Sequence, residues 1–201
     1  MADTIQLSSD ELVLDRSRYA DVRKRERARM IAVRRARRVP LGDRIALEFE
    51  SAETLLYQAQ EMMYVEGVTD PRVADADLDS YRRLLPGTTS LTATLLIELA
   101  DAAAVRDELV RLQGVQHSVW LRAGEASARG KEIPGPDEDG PSEATASVHF
   151  LRFAVDGGLA DGLRSGGVAV VASVEHPAYS ASTELTAEQR RLLVEQLDSS
   201  A

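Results

Sequence analysis

The side chains with the widest chemical range in this sequence are its three histidines, His117, His149 and His176. Imidazole and carboxylate groups are common ligands of transition metals in proteins. We take His117 and His176, with Glu66 as a carboxylate, as the candidate metal ligands. The histidines lack the spacing of a local ligand pair, so the fold would have to assemble such a site. The alternative, favoured by the frequent partial burial of histidine, is that they are hydrogen-bonded structural residues.

Glu66 is a candidate because helical spacing places it on the same face as the apolar residues Leu55 and Met62. Burial would raise the pKa of this carboxyl group unless it were paired, and a raised carboxyl pKa is one mark of a functional site. The alternative is that the helix ends before Gly67, which would leave Glu66 in solvent or beside an arginine. We favour this alternative because helix ends are uncertain by a few residues.

Five arginines lie along one edge of a helix predicted over residues 15–38. They are spaced by 7, 4, 7 and 4 residues, and they are Arg16, Arg23, Arg27, Arg34 and Arg38. Like charges at these spacings repel one another along an isolated helix, so a negatively charged partner would be stabilising. Three partners remain open: the rest of the chain or a second subunit, an acidic partner protein, and nucleic acid.

The charge distribution bears on the choice among these partners. The 201 residues hold 33 acidic and 24 basic side chains, for a net charge of −9. Residues 1–44 carry a net charge of +5 and residues 45–201 carry −14. Nucleic acid is disfavoured because its binding needs a positive potential over the approach surface. The chain itself, a second copy or an acidic protein fits better.

The helix predicted over residues 52–66 has apolar or aromatic side chains on two sides. Leu55 and Met62 lie on one side, and Tyr57, Glu61 and Tyr64 lie on the opposite one. A helix of this kind is usually covered on both sides. We therefore expect Tyr57, Glu61 and Tyr64 to form a partner-binding surface together with the arginine edge. Formation of a homodimer would bury both features.

Several classes of chemistry are excluded by residues or motifs that the sequence lacks. Without cysteine there is no disulfide, thiolate nucleophile or cysteine-ligated metal site. The only lysines are Lys24 and Lys131, and neither lies in a phosphate-binding loop. No hydrolase, zinc-protease or dinucleotide-binding motif is found. The sequence therefore indicates no cofactor and favours a role other than catalysis. It contains neither a secretory signal nor a membrane span, so we expect a cytoplasmic protein.

The pattern of elements predicts an α+β protein. It has a mostly antiparallel or mixed sheet of about five strands, helices packed on that sheet and a long N-terminal helix. We divide it into an N-terminal arm and arginine-rich helix, 1–44, and a single α+β domain, 45–201. Strands are predicted at 45–49, 91–99, 115–122, 147–155 and 168–175. Further helices are predicted at 52–66, after Asp70, after Asp101 and after Thr186. The segment 124–145 is expected to be a flexible loop, and the glycines between 158 and 166 are expected to form a turn.

Four stretches of the chain resemble a bacterial family known as domain-of-unknown-function family 3501. They are Arg38–Asp43 leading into the strand 45–50, Gln58–Met62 with Glu66, Gly114–Leu121, and Val174–Tyr179. The resemblance spans most of residues 15–197. It implies a genomic setting beside rubrerythrin-like di-iron proteins and iron–sulfur oxidoreductases. We accordingly expect an accessory or interaction protein of a redox or peroxide-stress pathway, with an iron–sulfur or di-iron partner. The alternative is an enzyme or sensor that binds a metal or small ligand through His117, His176 and nearby carboxylates.

Overall fold

A computed structural model describes residues 7–99, 103–134 and 144–199 of the protein. Within this part of the chain there are six α-helices and nine strands. The helices are α1 (Arg16–Arg37), α2 (Ala52–Glu66), α3 (Pro71–Arg82), α4 (Val105–Arg111), α5 (Gly157–Arg164) and α6 (Ala187–Ser199). The strands are β1 (Arg38–Leu41), β2 (Ile45–Phe49), β3 (Ser90–Ile97), β4 (Val119–Ala123), β5 (Ala126–Arg129), β6 (Lys131–Glu132), β7 (Val148–Ala154), β8 (Val170–His176) and β9 (Tyr179–Glu184).

The strands form two antiparallel sheets instead of the one that the sequence pattern predicts. The first sheet has the order β1-β2-β3-β7-β6, and the second has the order β5-β4-β8-β9. Strands β5 and β6 are separated by Gly130 alone, so the chain passes there from one sheet to the other. A side chain at Gly130 would crowd Leu151 and Phe153, which explains why glycine suits this crossing.

Two apolar clusters hold this architecture together. The larger one fills the space between the sheets and includes Leu95, Phe153 and Val174. The smaller one joins α2 and α3 and includes Leu55 and Leu78. Consecutive residues of a strand point to opposite faces of its sheet. Thus Leu151 of β7 belongs to the larger cluster, and Phe150 packs against the smaller one. Helices α2 and α3 therefore cover the outer face of the first sheet.

The predicted helices at the two ends of the chain are confirmed. Helix α1 begins after Asp15, whose carboxylate accepts hydrogen bonds from the backbone N–H groups of Ser17 and Arg18. Helix α6 begins after Thr186, which exchanges capping hydrogen bonds with Gln189. Helix α1 does not project, because it packs on α2, α6 and β2. Strand β1, which also lies within residues 1–44, pairs with β2.

Strands β1 and β9 were not predicted from the sequence. Strand β1 contains Pro40, but it is an edge strand, where a missing N–H group is tolerated. In β1, Val39 and Leu41 are buried while Pro40 is exposed. Strand β9 has mostly polar or small side chains and buries only Tyr179, so it lacks a clear hydrophobic alternation.

Three other expectations are wrong. The segment expected to be a loop over 124–145 contains β5 and β6, while residues 135–143 lie outside the described part of the chain. The expected glycine turn is helix α5, which is capped by Asp156 and buries Leu159 and Leu163. The strand predicted from Val115 begins only at Val119, after a 3₁₀ turn at Val115–Ser118. The predicted cap Asp101 also lies outside the described residues.

No helix within the described ranges combines the length and the apolar character that a bilayer span requires.

Candidate partner-binding site

Helix α1 is fixed to α2 by a polar network around Glu61. The Tyr19 hydroxyl donates a hydrogen bond of 2.8 Å to Glu61 Oε1. Arg23 donates from Nε and Nη2 to the same carboxylate over 2.7–3.1 Å. These bonds, above all those from Arg23, hold the pKa of Glu61 below its usual value. The pKa of Tyr19 is raised mainly by burial and, to a smaller extent, by its hydrogen bond to Glu61.

The aromatic ring of Tyr64 extends this contact. It lies edge-to-face with Tyr19, with the ring centroids 5.4 Å apart. The guanidinium carbons of Arg16 and Arg23 lie 5.2 and 4.8 Å from the Tyr64 ring centroid. Such contacts between a cation and an aromatic ring are favourable by about 0.5–1 kcal/mol at exposed sites. Tyr64 and Glu61 therefore contact the arginine edge within the same chain.

The last two arginines of the edge also find carboxylates inside the molecule. Arg34 Nη1 lies 3.5 Å from Glu48 Oε2, and Arg38 Nη1 lies 2.8 Å from Glu48 Oε1. Arg38 also contacts Glu98. The acidic body thus supplies partners for Arg23, Arg34 and Arg38.

Arg27 differs from the other arginines of the edge. The Arg27 side chain has no ion pair or hydrogen bond to the residues that the structure describes. It is nevertheless close enough to Glu61 for its charge to lower the pKa of the Glu61 carboxyl group. Arg34 is also incompletely satisfied, because its Nε is buried and lacks an acceptor within the described chain. Two guanidinium groups on this side of α1 therefore retain unused donors.

Arg27 and Arg34 lie on an open groove between α1 and α2, which we call the α1–α2 groove. It has a volume of about 450 Å³. Its apolar wall is formed by Ile31, Met62 and Val65, which are 61, 44 and 65% exposed, respectively. These are three of the seven large hydrophobic residues that are exposed in the described part of the chain. The groove therefore combines an apolar wall with unused positive charge.

Tyr57 also lines this groove, so the predicted surface residues are divided between two environments. Arg16, Arg23 and Tyr64 join α1 to α2, while Arg27, Arg34 and Tyr57 face the groove. Glu61 belongs to both environments, because it binds Arg23 and also lines the groove. The sequence pattern could not identify Ile31 and Val65 as part of the surface, because nothing in their spacing distinguishes an exposed apolar residue from a buried one.

The three predicted metal ligands are not brought together into a ligand cluster. His117 lies in the 3₁₀ turn, where its side chain is 57% exposed. The strand predicted over 115–122 would have included His117, but β4 begins only after this turn. His176 Nε2 lies 3.0 Å from the Gln113 carbonyl oxygen, and Nδ1 accepts a bond from the Ala178 N–H. Glu66 is exposed at the C-terminal end of α2. Within the described ranges, no group of three histidine, aspartate or glutamate residues is arranged to hold a metal ion.

The buried histidine is instead His149, whose side chain is 4% exposed. Its Nδ1 lies 2.6 Å from Glu132 Oε1, and its Nε2 lies 2.8 Å from Thr145 Oγ1 and 3.0 Å from the Ala146 carbonyl oxygen. The alternation of His149 with Leu151 and Phe153 gave a signal that it faces inward. Nothing in the sequence indicated Glu132, because it lies in the segment expected to be a loop.

A hydroxyl, an imidazole and a carboxylate in this order resemble a nucleophilic triad. However, both Thr145 and His149 are buried. The contacts instead join β6, β7 and the residues before β7, which is a structural role.

The fold and the site define an α+β protein of two antiparallel sheets that carries a helical layer with an open, positively charged groove. The chain belongs to the family described as "Protein of unknown function (DUF3501)", which matches residues 6–197. The resemblance found in the sequence is thereby confirmed. A crystal structure of a protein of unknown function from Burkholderia pseudomallei is similar, with 33% identity and a TM-score of 0.85. The match covers 96% of this chain and 100% of that one. No curated protein matches the chain.

Proposed function

We propose that this protein is an interaction protein that binds an acidic protein partner at the α1–α2 groove. The observation that carries the proposal is the exposure of Ile31, Met62 and Val65 beside the unused guanidinium donors of Arg27 and Arg34. A contiguous apolar patch with a polar rim is a common mark of a protein–protein contact.

The charge of α1 supports an acidic partner. This helix contains ten basic and two acidic residues, so it carries a net charge of +8 on a chain whose total is −9. Lys24, Arg27 and Arg35 are exposed, and no ion pair to them occurs among the described residues. Complementary charge would steer an acidic protein toward this side of the molecule and would disfavour basic competitors.

A second copy of the chain fits this groove less well. A two-fold interface uses the same patch on both subunits, so it would bring two α1 helices together. Each of these helices carries a charge of +8, and their repulsion would oppose association. Homodimerisation, which the sequence suggested, is therefore an outcome to be tested and not the preferred arrangement.

Nucleic acid also fits less well than an acidic protein. The phosphate backbone would match the arginines of α1, but it offers nothing apolar to cover Ile31 and Val65. The remainder of the chain carries the excess negative charge, which would repel a polyanion.

We also propose a location and a pathway for this interaction. The family resemblance supports this part of the proposal, because it implies genomic neighbours that are iron–sulfur and di-iron proteins. We place the protein in the cytoplasm as an accessory protein of a redox or peroxide-stress pathway, and we take an acidic iron protein as the first partner to test.

Site-specific crosslinking in the native host tests the proposal. Because the chain has no cysteine, Met62→Cys introduces one thiol into the groove, to which a photoreactive label can be attached. Val110→Cys is the matched control, because Val110 is 43% exposed on α4, away from the groove. Adducts of both proteins are to be identified by mass spectrometry.

The proposal predicts an adduct with one acidic protein from Met62→Cys and none from Val110→Cys. Adding Arg27→Glu should reduce the yield of that adduct several-fold, since a like charge would then face the partner. Equal labelling from both positions would contradict the proposal. An adduct that contains only this chain would show that the groove is a homodimer interface.

A further inference from the structure

From the shape and charge of the groove, we infer that the partner docks through an acidic amphipathic α-helix with two carboxylates seven residues apart. This inference rests on the proposed function and specifies the part of the partner that is recognised.

The walls of the groove have the spacing of a helix-binding surface. On α1 the lining residues are Arg27, Met30, Ile31 and Arg34, which are the i, i+3, i+4 and i+7 positions of two turns. On α2, Met62 and Val65 are exposed at the facing positions. Two helices packed side by side leave between them a furrow into which the side-chain ridge of a third helix fits. Docking of an amphipathic helix in a groove is a recurring mode of recognition.

A strand would fit this surface poorly. Its backbone N–H and C=O groups need partners when they are buried, and the groove walls are helices whose backbone groups are already bonded within the helix. An α-helix satisfies its own backbone, except at its ends, and presents only side chains to Ile31, Met62 and Val65.

The positions of the two arginines set the charge spacing. Arg27 and Arg34 are seven residues apart on the same edge of α1, which corresponds to about 10.5 Å along the axis. A partner helix that lies along α1 would reach both with carboxylates at positions i and i+7. Apolar residues at i+3 and i+4 of the partner would then face Ile31 and Met62.

Synthetic peptides test this inference with the full-length protein. The probe is a fluorescent helical peptide of about twenty residues, with glutamates at i and i+7 and leucines at i+3 and i+4. The comparison peptide has the same composition, but its second glutamate is moved to i+5. Binding is measured by fluorescence anisotropy. The protein variants are Arg27→Glu and, as control, Arg18→Glu, which makes the same charge change about 180° around α1.

The probe should bind at least about fivefold more tightly than the comparison peptide, which corresponds to one well-placed surface ion pair of about 1 kcal/mol. Arg27→Glu should weaken binding of the probe about tenfold, while Arg18→Glu should change it less than twofold. A probe with lysine at position i should recover its affinity on Arg27→Glu. Equal affinities of the two peptides, or equal effects of the two variants, would overturn the inference.

The crosslinking experiment separates this inference from the proposed function. If Met62→Cys captures an acidic protein while the peptides do not discriminate, the groove binds a partner but not through this helix. If neither experiment gives a specific signal, both the inference and the proposed function fail.

Discussion

Replacement of Glu61 tests how α1 is held on α2. Glu61→Ala removes the acceptor of the Tyr19 hydroxyl, and Tyr19 is only 3% exposed. A buried donor left unsatisfied costs about 1–3 kcal/mol. The same change removes the paired bonds from Arg23, whose side chain is 33% exposed, so this pair adds at most about 1 kcal/mol. We expect the free energy of unfolding to fall by about 1–4 kcal/mol.

Glu61→Gln separates the two contributions. Glutamine keeps an oxygen for the Tyr19 hydroxyl and loses only the charge that pairs with Arg23, so the expected loss is about 1 kcal/mol. Glu195→Gln is the surface control, because Glu195 forms an exposed pair with Arg191 along α6. It should cost less than about 0.5 kcal/mol. The free energies are to be measured by urea unfolding, with thermal unfolding as a second probe.

The pH dependence of unfolding gives an independent check. Arg23 and Tyr19 lower the pKa of Glu61 in the folded chain, so the unfolded chain binds the proton more readily. The stabilisation is therefore complete above the ordinary glutamate pKa near 4.5 and is lost as the pH falls through the lower, folded value. Glu61→Gln should reduce the loss of stability over that acidic range. Equal effects of Glu61→Ala and Glu61→Gln, or no change in the pH profile, would refute this account of the network.

Two further predictions concern the turn at Gly42 and the buried His149. Gly42→Ala should lower stability by about 2–4 kcal/mol in urea unfolding, because φ is +74° there and the new Cβ would meet the Tyr179 hydroxyl. If the clash with the hydroxyl is the main cause, the double variant Gly42→Ala/Tyr179→Phe should be more stable than Gly42→Ala alone. If the double variant is no more stable, the backbone angle at residue 42 is the cause. His149→Ala should cost about 2–4 kcal/mol, since it removes a buried side chain and takes from Glu132 Oε1 its hydrogen bond, while Oε2 keeps the one from Gln116. Differential scanning calorimetry checks this value, and a change below 0.5 kcal/mol would show that the buried histidine is dispensable.

Five of the six helices of the described chain and the central strands could be predicted from the sequence, because each has a clear periodicity or cap. Helix α5 was missed because its glycines favoured a turn. Helix α2 is the clearest example, since it begins at Ala52 after Ser51 and ends at Glu66 before Gly67, as predicted. The missed strands lack that signal. Strand β1 contains a proline, β6 has two residues, and β9 is dominated by serine, threonine and glutamate. Their pairing depends on neighbours distant in the sequence, which local patterns do not reveal.

The candidate site could be predicted only in part for a related reason. The spacing of the arginines correctly placed four of them along one edge of α1, whereas Arg38 begins β1. The opposite charge of the body correctly suggested an internal partner. The sequence could not show that Glu48 and Glu98 meet Arg38 while Arg27 receives no carboxylate within the described chain. That distribution is set by how β2 and β3 pass beneath α1. It determines which guanidinium groups remain available to a partner.

The central claim is that the α1–α2 groove binds an acidic partner through Arg27 and the exposed apolar residues beside it. The most direct measurement uses the purified partner that the Met62→Cys variant captures. Its affinity is measured for the wild-type chain and for the Arg27→Glu variant, each at low and at high salt. The account predicts weaker binding to Arg27→Glu at low salt, and a smaller difference at high salt as screening reduces the charge contribution. An unchanged affinity of Arg27→Glu at low salt would contradict it.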